Sequence, residues 1–217
     1  MENLNYQRYA NKLEALLQKS AKNFTKDDII KLVNNLGIRM INFMYPGGDN
    51  RLKTLNFVLH SPDYLDTILT SGERVDGSSI FSFIQAASSD LYVMPRFSTA
   101  FLDPFAENND TLCMLCSFFD RDGQPLASAP EYTLKKSMQA FRDKTGMEYH
   151  AMAELEYYVV TQDDEVFAST DQKGYHESAP FAKTNEFRTR CMKAIADCGG
   201  HIKYSHSEVG AFTEDNL

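Results

Sequence analysis

The residues with the clearest chemical potential are two glutamates that stand two positions apart, Glu154 and Glu156. Side chains two apart in a strand project from the same face, so these carboxylates would lie side by side. Alternation through Tyr158 predicts a strand over residues 149–160 that is buried on both faces. Buried carboxylates must be neutralised, paired or bound to a metal, and oxygen ligands suit Mg²⁺ or Mn²⁺. A solvated strand face is the alternative interpretation.

Three further acids stand where chemistry is possible. Glu208 lies on a second predicted strand over residues 201–209 and could reach the same place as the glutamate pair. Asp76 opens the segment Asp-Gly-Ser-Ser, in which an aspartate commonly accepts hydrogen bonds from its own turn. By spacing alone Asp76 is therefore interpreted as structural, and Asp90, which precedes another predicted strand, has the same ambiguity.

The four cysteines raise the question of a metal site, because Cys113 and Cys116 have C-x-x-C spacing. Both fall in a predicted buried strand over residues 112–119, where side chains three apart point to opposite faces. Such a pair cannot share one zinc ion. Cys191 and Cys198 lie on a predicted helix, where free cysteine usually behaves as a small buried hydrophobe. We therefore expect no zinc site.

The elements that must position the acids fall into two groups. The first group contains predicted helices over 4–19, 26–36 and 62–70, a hairpin of strands 38–44 and 52–59, a short helical piece after Asp76 through residue 87, and strands 91–94 and 112–119. The second group contains helices over 133–145 and 184–198 and the two strands that carry the glutamates. This pattern predicts an α+β protein in two parts, with a boundary in the loop after residue 125.

Composition excludes several classes of function. The chain has 217 residues, of which 43% are hydrophobic and 24% charged, as in an ordinary globular protein. Its net charge of −8 argues against nucleic acid as a partner. The N-terminus has no signal-like segment, and no apolar run approaches the length of a membrane span. We expect a cytoplasmic protein without a membrane partner.

Seven short segments occur in an order and spacing that resemble those of glutamine synthetases, from about residue 36 onward. They are Val75–Ile80, Ser89–Pro95, Ser98–Ala100, Asp103–Phe105, Glu154–Tyr158, Gly174–Tyr175 and Ser205–Val209. The resemblance implies a β-grasp domain with N-terminal helices over residues 1–125. It also implies that residues 126–217 are the first part of a catalytic α/β domain whose antiparallel sheet lines the active site.

The resemblance further implies an activity and a role for each acid. Enzymes of this family use ATP and Mg²⁺ or Mn²⁺ to join ammonia to the γ-carboxylate of glutamate through γ-glutamyl phosphate. Glu154 matches the ligand of the ion beside the ATP phosphates, and Glu156 and Glu208 match ligands of the ion beside glutamate. Asp76 matches the acid that binds ammonium and takes its proton, and Asp90 matches an acid that shapes that site. The family forms homo-oligomers in which Asp76 and Asp90 serve the neighbouring subunit.

Some positions depart from the family pattern and indicate a divergent branch. The usual pair of histidines before the metal glutamate is His206-Ser207, Arg96 replaces an acid, and Glu131 replaces an arginine. Further metal ligands and the glutamate-binding arginines follow Glu208 in the family, so the chain is expected to be an N-terminal portion without activity of its own. Two alternatives remain: a γ-glutamyl-amine ligase that uses a primary amine, and a non-catalytic member that serves assembly or regulation.

Overall fold

The computed structural model describes residues 11–86, 89–160, 166 and 173–210. The chain divides into two compact units, unit 1 (Met1–His150) and unit 2 (Ala151–Leu217). The α+β class is confirmed, since unit 1 combines a six-stranded sheet with helices. The domain boundary after residue 125 stays a prediction. Among the helices in the described part of the chain, none combines the length and hydropathy that crossing a membrane requires.

The helices of unit 1 begin and end where local sequence signals place them. α2 begins after a capping box, in which the Thr25 backbone N–H donates to Asp28 Oδ2 at 2.8 Å. It ends at Gly37, which adopts a left-handed φ of 66°. Of the helix predicted over 4–19, residues 4–10 lie outside the described residues. The α-helices among the described residues of unit 1 are α1 (Lys12–Leu17), α2 (Lys26–Leu36), α3 (Pro62–Ser71) and α4 (Pro130–Thr145).

A mixed sheet forms the centre of unit 1. Its strands are β1 (Met40–Pro46), β2 (Leu52–Val58), β3 (Glu73–Asp76), β4 (Asp90–Pro95), β5 (Phe101–Leu102) and β6 (Thr111–Phe119). The order is β2-β1-β6-β4-β3, with β5 on β6, and only the β1–β6 pair is parallel. The predicted hairpin is confirmed as β1 and β2, which pair from Met40 opposite Val58 to Pro46 opposite Leu52. The sequence did not predict β3.

The core lies between one face of this sheet and the helices. β1 and β6 contribute alternate side chains to it, including Phe43 and Phe118, which are both completely buried. α2 and α3 cover them with Ile29, Leu32 and Ile68. The predicted buried strand over 112–119 is confirmed, because β6 buries both Cys113 and Cys116.

Unit 2 contains one helix among its described residues, α5 (Asn185–Asp197), which confirms the helix predicted over 184–198. The strands predicted over 149–160 and 201–209 are wrong, since neither segment is a strand in the structure. Burial on both faces is wrong as well, because residues 151–160 are exposed except for the half-buried Val159. The physical reason is that a strand exists through hydrogen bonds to a neighbour. Within the described residues neither segment has such a neighbour.

Candidate active site

Asp76 and Asp90 are brought together at one end of the β3–β4 pair. Asp76 is the last residue of β3, Asp90 is the first of β4, and the antiparallel register places them directly opposite each other. Like charges in that position repel, and each carboxylate is stabilised by its own hydrogen-bond donors. Arg74 Nη1 donates to Asp90 Oδ1 at 3.1 Å across the surface of the same two strands. Sequence spacing alone did not reveal this pair, because β3 was not predicted.

The Asp76 carboxylate accepts hydrogen bonds from the turn that it opens. Oδ1 accepts from the Ser78 backbone N–H at 3.0 Å and from Ser78 Oγ at 2.7 Å, while Oδ2 accepts from Ser79 Oγ at 2.6 Å. The hydroxyl of Ser79, followed by those of Ser78 and Ser89, holds the pKa of Asp76 far below its usual range. This exposed carboxylate is therefore ionised near neutral pH and available to hold a cation.

The turn is fixed in place by close backbone contacts. The Gly77 N–H donates to the Ser89 carbonyl at 2.7 Å, and a Cβ at Gly77 would lie 2.7 Å from Leu91 Cδ1. Only glycine allows this approach of the turn to β4. On the other side, the Gly48 N–H of the β1–β2 hairpin donates to the Ile80 carbonyl at 3.0 Å. The Asp76 turn is thereby attached to both the sheet and the hairpin.

A second feature of unit 1 is a cavity of about 430 Å³, lined by residues of β6 and α4 together with Arg96. Arg96 and Glu131, two of the positions that depart from the expected pattern, both line it with opposite charges. Glu131 Oε1 accepts from the Phe118 backbone N–H at 2.9 Å. Arg96 Nε and Glu131 Oε2 are buried, and neither has a hydrogen-bond partner among the residues that the structure describes. Both charges also act on Cys116, whose burial raises the pKa of its thiol to about 12.

The three glutamates predicted as metal ligands lie in unit 2. Glu154 and Glu156 are exposed on a segment that has no strand partner in the described part of the chain. Glu208 Oε1 accepts from the Val209 backbone N–H at 2.8 Å, and Glu208 Oε2 lies 3.7 Å from His206 Nδ1. Among the described residues, no three or more His, Cys, Asp and Glu side chains are grouped to hold a metal ion. Carboxylates are suitable ligands for Mg²⁺ or Mn²⁺, but the metal roles of these three residues stay predictions.

Comparison with known sequences identifies the β-grasp part of the chain. Residues 37–121 match a family model described as glutamine synthetase, β-grasp domain. The glutamine synthetase of Methanococcus voltae is 27% identical over 143 residues, which cover 65% of this chain and 32% of the relative. That of Staphylococcus epidermidis is 26% identical over 192 residues, which cover 87% of this chain and 42% of the relative. The chain thus spans less than half the length of these curated relatives.

Solved structures show the same likeness at the level of the fold. Glutamine synthetase from Plasmodium falciparum has a TM-score of 0.66 with 14% identity, covering 86% of this chain and 42% of that chain. A structure of GmaS without ligand has a TM-score of 0.58 with 11% identity, covering 77% of this chain and 39% of that chain. At such identities the likeness concerns the fold alone. It agrees with a β-grasp domain in an α+β chain.

Proposed function

We propose that this chain carries the ammonium-binding residues of an ATP-dependent carbon–nitrogen ligase. Its N-terminal part belongs to the glutamine synthetase family. The reaction joins ammonia to the γ-carboxylate of glutamate through γ-glutamyl phosphate. The observation that carries the proposal is the pairing of Asp76 with Asp90 at the end of β3 and β4. The proposal includes ATP as cofactor, a cytoplasmic homo-oligomer, and active sites shared between neighbouring subunits.

Asp76 would act mainly by binding the ammonium ion. Its carboxylate is exposed, ionised and oriented by Ser78 and Ser79, so its charge is available to a small cation without reorganisation of the turn. Asp90 adds a second negative charge directly opposite. The low pKa of Asp76 supports the binding part of the expected role more than the proton-accepting part. Held in this way, ammonium would be retained next to the acyl phosphate until it gives a proton to Asp76, the acceptor that the resemblance implies; the resulting ammonia would then form the C–N bond as phosphate leaves.

The remaining acids would serve the phosphoryl-transfer side. Glu154, Glu156 and Glu208 would hold Mg²⁺ or Mn²⁺, which supplies compensation for the negative charge of the transferred phosphoryl group. Carboxylate oxygens are the right ligand chemistry for these hard cations. In this proposal the two units have separate tasks, because the ammonium acids belong to unit 1 and the metal acids to unit 2.

A γ-glutamyl-amine ligase is the second candidate, and one observation favours it. Both Asp76 and Asp90 are exposed, with 54% of the Asp90 side chain accessible. An alkyl group on the amine would therefore meet no obstacle from the described residues of this chain at the pair. Ammonia and methylamine, supplied separately as substrates, distinguish the two candidates by which one is converted faster.

The test is complementation of this chain with the part of the Staphylococcus epidermidis enzyme outside the matched region. The two polypeptides are co-produced, and glutamine formation and glutamate-dependent ATP cleavage are measured. Asp76→Asn should retain ATP cleavage and slow amide formation by about 10²–10³-fold, the usual loss when one preorganised electrostatic group is removed. Asp63→Asn, which changes an exposed aspartate of α3, is the matched control. Normal amide formation by Asp76→Asn, or no activity with the unsubstituted chain, would contradict the proposal.

A further inference from the structure

We propose that His176 and His206 form a bidentate imidazole site for a first-row transition-metal ion such as Co²⁺ or Ni²⁺. The two histidines come from separate segments of unit 2, and their ring centroids lie 4.3 Å apart. This inference does not depend on the proposed ligase activity. It concerns a ligand pair that the spacing of residues along the sequence does not reveal.

The ring geometry fits a shared ion. With a metal–nitrogen distance of about 2.0–2.1 Å, two imidazoles at right-angled positions of an octahedral or tetragonal ion have centroids roughly 4.5 Å apart, whereas tetrahedral positions would separate them by roughly 5 Å. The rings of His176 and His206 are inclined by 46° to each other, so they are not stacked face to face. Tyr175 stacks on His176 at 4.1 Å, and Tyr204 lies parallel to His206 at 5.8 Å. These neighbours restrict rotation of both imidazoles.

Backbone contacts hold the two segments together. The His176 N–H donates to the Ser207 carbonyl at 2.9 Å, and Ser207 Oγ donates to the Glu177 carbonyl at 2.9 Å. A Cβ at Gly174 would lie 2.7 Å from the carbonyl oxygen of Glu208. Glycine at this position is thus needed for the approach. These contacts therefore bring the backbones of the two histidine segments together.

The hydrogen bond of the His206 ring indicates which of its two nitrogens can bind a metal ion. Its Nδ1 lies 2.9 Å from the Ser207 carbonyl oxygen, and a carbonyl can only accept, so Nδ1 carries the proton. Nε2 then keeps the lone pair that a metal ion requires. Glu208 Oε2 lies 3.7 Å from the same Nδ1. A carbonyl or carboxylate beside the non-ligating nitrogen is the usual outer-shell partner of a metal-binding histidine.

The ligand type determines the class of ion. Imidazole nitrogen suits cobalt, nickel, copper and zinc, whereas Mg²⁺ prefers oxygen. The sequence keeps one of the two histidines expected before the metal glutamate, at His206, and has Ser207 at the other position. His176 supplies a second imidazole beside His206 from a different segment.

The test is titration of the full chain with Co²⁺ in the absence of ATP and glutamate, followed by calorimetry and visible absorption. His176→Phe keeps a ring against Tyr175 but removes the nitrogen, and it should weaken Co²⁺ binding at least about tenfold, the lower limit for loss of even an outer-shell partner. His201→Phe changes another exposed histidine of unit 2 and should leave binding unchanged.

Three outcomes would overturn the site. The first is that His176→Phe binds Co²⁺ with the affinity of the unsubstituted chain. The second is that His201→Phe loses as much Co²⁺ affinity as His176→Phe. The third is that equimolar Mg²⁺ displaces Co²⁺, which would indicate carboxylate ligands. Circular dichroism of each variant shows whether α5 is retained, and His206→Phe gives a second, independent loss of one nitrogen ligand. Because no substrate is present, failure of the ligase proposal would leave this result unaffected.

Discussion

Unit 1 contains a buried apolar core, whereas the described residues of unit 2 include no buried hydrophobic side chain. Every buried hydrophobic residue among those described belongs to unit 1, and the set includes Phe43, Phe81 and Phe118. In unit 2 the side chains of Leu155 and Val160 are 76% and 72% exposed. Burial of apolar surface is the main driving force of folding. We therefore expect the stability of the chain to come from unit 1.

The same contrast separates the two groups of candidate acids. Asp76 is oriented by the hydroxyls of its turn and faces Asp90 across a paired strand. Glu154 and Glu156 lie on an exposed segment that has no strand partner within the described residues. Preorganised groups act with little rearrangement at the moment of reaction. Of the two groups, the acids of unit 1 are the ones whose environment is already built.

The largest expected effect comes from removing a core ring in unit 1. Phe118 is completely buried and contacts the rings of Tyr45 and Phe81 at centroid distances of 5.2 and 5.0 Å. Phe118→Ala should lower the free energy of unfolding by about 3–5 kcal/mol, measured by urea denaturation with circular dichroism. Phe187→Ala removes a ring of unit 2 that is 49% exposed and should change it by less than about 1 kcal/mol. Equal losses would show that unit 2 is packed as tightly as unit 1.

Elements specified by neighbouring residues could be predicted from the sequence. Thr25 and Asp28 begin α2, Gly37 ends it, and the turn after β1 returns the chain as β2. β3 could not be predicted, because it has only four residues and strong turn signals flank it, Gly72 before it and the Asp76 turn at its end. Its strand character comes from pairing with β4, a segment distant in sequence. The pairing of Asp76 with Asp90 was unpredictable for the same reason.

The segment over residues 149–160 shows the opposite case. Its alternation of acidic or aromatic with apolar side chains is typical of a strand, and the sequence therefore predicted one. The pattern states which face each side chain would occupy, but it does not supply the partner whose hydrogen bonds make the strand. The resemblance to the family was recognisable all the same, because it depends on the order of short segments. The contact between His176 and His206 needed coordinates, since it joins two separate segments.

An intermediate loss of stability is expected on substitution of Gly77, the glycine that lets the Asp76 turn approach β4. Gly77→Ala would place its Cβ 2.7 Å from Leu91 Cδ1 and 2.9 Å from the Ser89 carbonyl oxygen. Such overpacking should lower the free energy of unfolding by about 1–3 kcal/mol, measured by the same urea titration. Gly174→Ala makes an equally close contact with a backbone oxygen in unit 2. It should leave the main unfolding transition unchanged and weaken Co²⁺ binding. A large loss of stability in Gly174→Ala would remove the contrast between the units.

The smallest effect compares the N-termini of one helix from each unit. Thr25 Oγ1 accepts from the Asp28 backbone N–H at 3.3 Å, whereas Thr184 makes no capping hydrogen bond at α5. Thr25→Ala should lower the free energy of unfolding by about 1 kcal/mol, and Thr184→Ala should change it by less than about 0.5 kcal/mol. Equal effects would contradict the difference in capping.

Acidic pH should reduce the loss of stability that Thr25→Ala causes at α2. Lys19, with smaller contributions from Thr25, lowers the pKa of Asp28 below its ordinary value of 3.8 in the folded chain. Ionised Asp28 therefore stabilises the fold above about pH 4, and this contribution is lost as the pH falls through the lower folded pKa. The difference between Thr25→Ala and the unsubstituted chain should shrink over that range, as measured by urea denaturation at pH 7 and below pH 4. A difference that stays constant would show that Thr25 acts on α2 independently of the charge on Asp28.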